Sequence, residues 1–110
     1  MAERYGVLWT EAATQDLEDL AGYVATESPL RARDLLERLR ASIQSLSRTP
    51  RRGRTVPELA MLGLLGRREM IRSPYRIVYR VEKRTVLVLA VLDGRRDLQD
   101  LLLERLLRHR

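Results

Sequence analysis

From residue 75 to 82 apolar and polar positions alternate. Tyr75, Ile77, Tyr79 and Val81 fall on one parity, and Arg76, Val78, Arg80 and Glu82 on the other. A period of two predicts a strand with one buried face. Residues 85–92 are almost all Val and Leu, as in a strand covered on both faces. The polar Glu82-Lys83-Arg84 between them predicts an antiparallel hairpin. Asp93-Gly94 predicts a turn through positive φ, with Arg95 and Arg96 emerging where a central strand ends.

Upstream the period changes. Residues 5–9 read as a short strand, and Thr10 is placed to cap a helix running to about residue 26. Ala13, Leu17, Leu20, Ala21 and Val24 form its apolar stripe. Ser28-Pro29 is a second start signal, N-cap followed by Pro at the first helical position. The second helix runs to about residue 48, burying Ala32, Leu35, Leu36, Leu39, Ile43 and Leu46, and the short break implies an αα-hairpin. Pro50, Gly53, Pro57, Gly63 and Gly66 mark residues 49–66 as loop, and 67–71 as the next strand. Ser73-Pro74 turns the chain into the hairpin. After Arg96 helical spacing returns, with Asp97 as cap and Leu98, Leu101, Leu102, Arg105 and Leu106 following.

The order is therefore β-α-α-β-β-β-α, an α+β fold with two helices packed on a small, mainly antiparallel sheet. The last helix has more leucine than one stripe needs: Leu98, Leu101, Leu102, Leu103, Leu106 and Leu107. The surplus either packs across the open sheet face or meets a partner helix or a second copy.

At 110 residues the chain is expected to be one domain with one core. The longest apolar run, residues 86–92, is strand length, too short to span a bilayer. The first ten residues lack a signal-peptide segment, so the expected location is cytoplasmic. There is no cysteine and one histidine, His109, so neither disulfides nor a transition-metal site is expected. No Gly-rich phosphate loop is present, and no cofactor is expected. Net charge is +6, and all the basic residues except Lys83 are Arg. A high-GC genome accounts for part of that bias. The charge itself predicts an acidic partner, since guanidinium forks suit phosphates and carboxylates.

An ordered set of motifs spans nearly the whole chain. It comprises Trp9-Thr10 with Ala13 and Asp16-Leu17, Tyr23, Ala32, Pro50, Gly53-Arg54, Val56-Pro57-Glu58-Leu59, Arg67-Arg68-Glu69, the strand from Tyr75 to Val81, and Gly94-Arg95-Arg96. Together these resemble the RelE/ParE superfamily, toxins of bacterial type II toxin–antitoxin pairs also known as plasmid stabilisation proteins. The resemblance implies one of two targets. RelE-like members are metal-independent ribonucleases that cut mRNA on the ribosome; ParE-like members inhibit DNA gyrase. It also implies neutralisation by a helical, often acidic antitoxin from the neighbouring gene.

Metal-independent RNA cleavage needs a base for the 2′-OH, an acid for the leaving oxygen, and cations for the phosphate. By resemblance Arg76, Arg95 and Arg96 occupy cationic positions of RelE-like enzymes, and Arg68 could complete the cradle. The proton carriers are missing. Arg does not deprotonate near neutral pH. Lys83 sits in a turn and His109 in the tail. Asp93-Gly94-Arg95-Arg96 lacks the His of the family's His-Gly-Arg-Arg, and there is no C-terminal Tyr. Glu58, in Val-Pro-Glu-Leu, resembles the catalytic Glu of some RelE-like members. Glu69 and Asp93 read as partners of neighbouring arginines, and Tyr75 and Tyr79 as core. The leading expectation is a ParE-like gyrase inhibitor, the alternatives a ribosome-dependent mRNA interferase and a non-toxic degenerate member. In each, an acidic antitoxin is expected to cover Arg95, Arg96, Leu102 and Leu106.

Overall fold

The computed structural model describes residues 4–96, 98–101 and 105. Strand β1 (Gly6–Trp9) leads into helices α1 (Glu11–Ala25) and α2 (Pro29–Gln44). Then come β2 (Arg54–Thr55), a short helix α3 (Pro57–Met61), and strands β3 (Arg67–Arg72), β4 (Tyr75–Glu82) and β5 (Thr85–Asp93). Residues 98–101 and 105 are helical again. The sheet order is β1-β5-β4-β3-β2. β1 pairs parallel with β5, and the other neighbours are antiparallel.

The predicted α+β order holds, with two additions inside the segment read as loop. β2 and α3 are too short to leave a periodic signal. Their local marks are Pro57 at the helix start and Glu58 in its first turn. The second helix stops at Gln44 rather than near Arg48 and tightens into a 3-10 turn at Ser45–Ser47, a common way to end a helix. The two caps form as expected. Thr10 Oγ1 accepts from the Ala13 N–H at 3.1 Å and donates to the Val88 carbonyl at 3.0 Å, fixing α1 to β5. Ser28 Oγ accepts from the Arg31 N–H at 3.2 Å.

The two faces of the sheet are covered differently. Met70, Tyr75, Ile77, Tyr79, Val86, Val88 and Val91 pack against the apolar stripes of α1 and α2. On the opposite face Val78, Ala90 and Leu92 pack against Val56, Leu59 and Leu98. Two cores share β5 because its register slips. Val78 pairs with Ala90 and Tyr79 with Val88, so Leu89 has no partner on β4. This bulge turns Val88 and Val91 to the helices and Ala90 and Leu92 away from them. Side chains take up the polar groups around it. Asp16 accepts from the Val91 N–H at 3.0 Å and from Arg105 Nη2 at 2.5 Å, while Arg105 Nη1 donates to the Leu89 carbonyl at 3.0 Å.

One backbone expectation fails. Gly94 is not among the positive-φ residues, which are Lys83 in the hairpin turn, Gly63 and Gly66. Gly94 is required for a close approach instead. Its N–H donates to the Pro74 carbonyl at 2.7 Å, and a Cβ there would lie 2.9 Å from that oxygen. Leu98 and Leu101 pack on the second core, so these two leucines close the chain's own fold. Asp97, Leu102, Leu103, Leu106, Leu107 and His109 lie outside the described residues.

Candidate functional site

The charged centre of the molecule lies on the sheet face away from α1 and α2. Arg76 on β4 and Glu69 on β3 share that face because Glu69 stands opposite Val78, and Ile71 opposite Arg76. Arg54 stands opposite Glu69 from β2. α3 is anchored over the same face by Val56 and Leu59, which brings Glu58 to Arg76.

The four side chains form one chain of ion pairs, from Glu58 through Arg76 and Glu69 to Arg54. Arg76 Nη1 and Nη2 grip the two oxygens of Glu58 at 2.8 and 2.9 Å. Arg76 Nε donates to Glu69 Oε1 at 2.5 Å, and Arg54 Nε to Glu69 Oε2 at 2.9 Å. Glu69 is fully buried, and a carboxylate is stable there only when paired and hydrogen-bonded. Two carboxylates and two guanidiniums cancel in charge, and every donor nitrogen of Arg76 has an acceptor. The bidentate Arg76 fork holds the Glu58 carboxyl well below its ordinary 4.5, at about 2, against the opposing effect of burial. Glu58, then Glu69, raise the Arg76 guanidinium further above its ordinary range. Glu58 is thus a poor base, and each nitrogen of Arg76 is already engaged by a carboxylate.

The other expected residues divide. Arg95 shares a shallow groove of about 470 Å³ with Arg76, Arg54 and Ile71. Its guanidinium forks onto Asp93, Nε to Oδ1 at 2.9 Å and Nη2 to Oδ2 at 2.7 Å. Arg95 is therefore the first cause of a lowered Asp93 pKa. Arg96 lines a different cavity of about 710 Å³ with Asp16, Tyr23 and Arg105. Arg68 is on the opposite face: it stands beside Tyr79 and donates to the Gly53 carbonyl at 2.8 Å. The structure does not bring Arg68 to Arg76. Leu102 and Leu106 lie outside the described residues.

Two participants were not singled out from sequence as site residues. Arg54 was legible only as part of the Gly53-Arg54 motif, because its pairing with Glu69 is set by a two-residue strand. Asp16 stood out only as part of the Asp16-Leu17 motif, because its role follows from the bulge. Tyr79 is core, as its parity predicted, and its hydroxyl accepts from the Gly53 N–H at 2.9 Å. Burial raises its pKa. Among the described residues, no group of three or more His, Cys, Asp and Glu side chains could hold a metal ion, and no helix is long and apolar enough to cross a membrane.

A family model for the ParE toxin of the type II toxin–antitoxin system parDE matches residues 7–98. The chain belongs to the ParE toxin family. Its fold is similar to that of a chain in the chromosomal ParDE toxin–antitoxin system of P. aeruginosa. That match has TM-score 0.64 and 21% identity, over 80% of this chain and 94% of that one. It is also similar to a chain of the RelBE2 toxin–antitoxin complex of Mycobacterium tuberculosis, with TM-score 0.57 and 26% identity, over 83% of this chain and 92% of that one. No curated protein matches it in sequence. In this ParE-family toxin, Arg76 is built into a cluster whose charges cancel.

Proposed function

We propose that this toxin arrests growth by ParE-like inhibition of DNA gyrase in the cytoplasm, through a protein–protein contact, and that a cognate antitoxin neutralises it. The observation that carries the reading is the ion-pair chain of Glu58, Arg76, Glu69 and Arg54. A ribonuclease of this fold needs a free cation for the scissile phosphate and a group able to carry a proton near neutral pH. Arg76 is committed to two carboxylates, Glu58 is held at about 2, and Asp93 is lowered as well. The match to the ParE family supports the same target. The toxin–antitoxin complexes among its structural relatives support the antitoxin.

The test is timed labelling of DNA and protein synthesis after induction in a bacterial host without antitoxin. DNA synthesis should fail first and protein synthesis later. Arrest of protein synthesis within minutes, while DNA synthesis continues, would favour the mRNA-interferase reading. Normal growth with a folded protein would favour a degenerate toxin.

A further inference from the structure

The net charge of +6 is localised. Between Glu37 and Glu58 there is no acidic residue, and there are six arginines, from Arg38 to Arg54. Of the 21 basic residues in the chain, the remaining 15 are matched by its 15 Asp and Glu. The whole excess therefore falls in residues 38–57, the second half of α2 and the loop that leads through β2 to α3. One of the six is taken up inside the fold, where Arg54 pairs with Glu69. Arg48, Arg51 and Arg52 are exposed and pair with no carboxylate among the described residues.

Strand β3 adds two more guanidiniums to the same surface. Arg68, Met70 and Arg72 share one parity, and Met70 packs in the helix-side core, so Arg68 and Arg72 stand on either side of it. Arg68 Nη1 donates to the carbonyls of Gly53 at 2.8 Å and Arg51 at 3.4 Å. Arg72 Nε donates to Ser42 Oγ at 2.9 Å. Both side chains lean onto the 38–57 segment, and neither meets a carboxylate among the described residues. The loop that carries Arg51 and Arg52 is pinned to the sheet. Gly53 N–H donates to the Tyr79 hydroxyl at 2.9 Å, and Arg51 Nη1 reaches the Tyr5 hydroxyl at 3.5 Å. Arg52 and Arg68 both act through space on the Tyr79 hydroxyl, lowering its pKa against the effect of burial. The excess charge is thus held on a folded frame as one stripe.

We propose that Arg48, Arg51, Arg52, Arg68 and Arg72 form a docking stripe for the sugar–phosphate backbone of duplex DNA, without base readout. The proposal goes beyond the gyrase reading and does not depend on it, because the toxin itself holds the polymer. Guanidinium forks suit phosphate oxygens. From Arg68 to Arg72 the strand advances about 13 Å, roughly four phosphate steps along one strand of a duplex. A single strand needs aromatic faces for its unstacked bases, but Tyr5 is half-buried and Tyr75 and Tyr79 are buried. An amphipathic peptide or a bilayer needs apolar contact. None of the exposed large apolar side chains of the described residues lies within 38–57. A second copy of this chain would bring the same excess charge.

The test is fluorescence anisotropy of a short labelled DNA duplex of mixed sequence, titrated with toxin freed of antitoxin. Wild type should bind with a Kd of about 10⁻⁴ to 10⁻⁶ M at physiological salt. The logarithm of its affinity should fall with the logarithm of salt concentration with a slope of about −4. Arg51→Gln with Arg52→Gln should make the slope shallower by about 2 and weaken binding ~10-fold at low salt. Arg31→Gln with Arg33→Gln removes the same charge from the exposed start of α2 and should keep the wild-type slope. Both double variants should melt as wild type does. Absence of binding at about 50 mM salt, or equal weakening by the two double variants, overturns the proposal. So does tighter binding of a single-stranded RNA of the same sequence. A loop variant that loses affinity for the copurified antitoxin more than for DNA assigns the stripe to the antitoxin and overturns it as well. The assay contains no gyrase, so a toxin that spares gyrase yet binds DNA in this way loses its target assignment and keeps this surface.

Discussion

On the face that meets α1 and α2, β3, β4 and β5 contribute Met70, Tyr75, Ile77, Tyr79, Val86, Val88 and Val91 to one apolar core. On the other face the same strands contribute Glu69 and Arg76 to an ion cluster, Val78, Ala90 and Leu92 to a small core, and Arg67 and Arg80 to a cross-strand pair of like charge. The first face is held by area removed from water, which is non-directional and tolerant of detail. The second depends on paired charges whose removal one at a time leaves a buried group without its counter-ion. The helix-side face therefore sets the fold.

Breaking the helix-side face should have an effect as large as any. Tyr79→Ala empties a fully buried site and leaves the Gly53 N–H without its acceptor. It should lower unfolding free energy by roughly 3–5 kcal/mol in urea denaturation. Asp16→Ala removes the acceptor for Val91 N–H and Arg105 at the bulge, with an expected loss of about 1.5–3 kcal/mol. Gly53→Ala sharpens the comparison, because its Cβ would lie 2.5 Å from the Glu69 carbonyl and 2.6 Å from the Tyr79 hydroxyl. It strains both faces together and should cost about 1–3 kcal/mol.

Acid separates the faces without mutation. The Glu58 pKa is depressed from 4.5 to about 2. Its contribution to stability is therefore fully present above 4.5 and lost as pH falls toward 2. Thermal melting followed from pH 6 to 2.5 should fall over that window, and Glu58→Gln should fall less steeply. A variant that falls as steeply as wild type would show that the fork onto Glu58 does not stabilise the fold. Arg95→Ala should be the smallest change, leaving melting unaltered, since the Arg95 side chain is 70% exposed and its ion pair is local.

The helix-side face was legible in the sequence because its rules are periodic. The stripe from Ala13 to Leu17, the stripe of α2 and the alternation of β4 all point to one core, and Thr10 and Ser28 mark where the helices begin. The other face was legible only in its residue types. Arg76 and Glu58 were singled out, but their mutual grip depends on α3, a five-residue helix below the length at which a period can be read. The two-residue β2 hid the role of Arg54 in the same way. Arg68 was misplaced because a strand written Arg67-Arg68-Glu69 sends consecutive side chains to opposite faces. Gly94 was assigned to the wrong cause because a glycine needed for close approach looks the same in sequence as one needed for positive φ.

The most direct test of the account is equilibrium denaturation of Arg76→Ala. With Arg76 gone, buried Glu69 keeps only Arg54, and Glu58 loses its fork. The account predicts a loss of roughly 3–5 kcal/mol in unfolding free energy. An Arg76→Ala protein as stable as wild type but no longer toxic would contradict it, because Arg76 would then serve the target and not the fold.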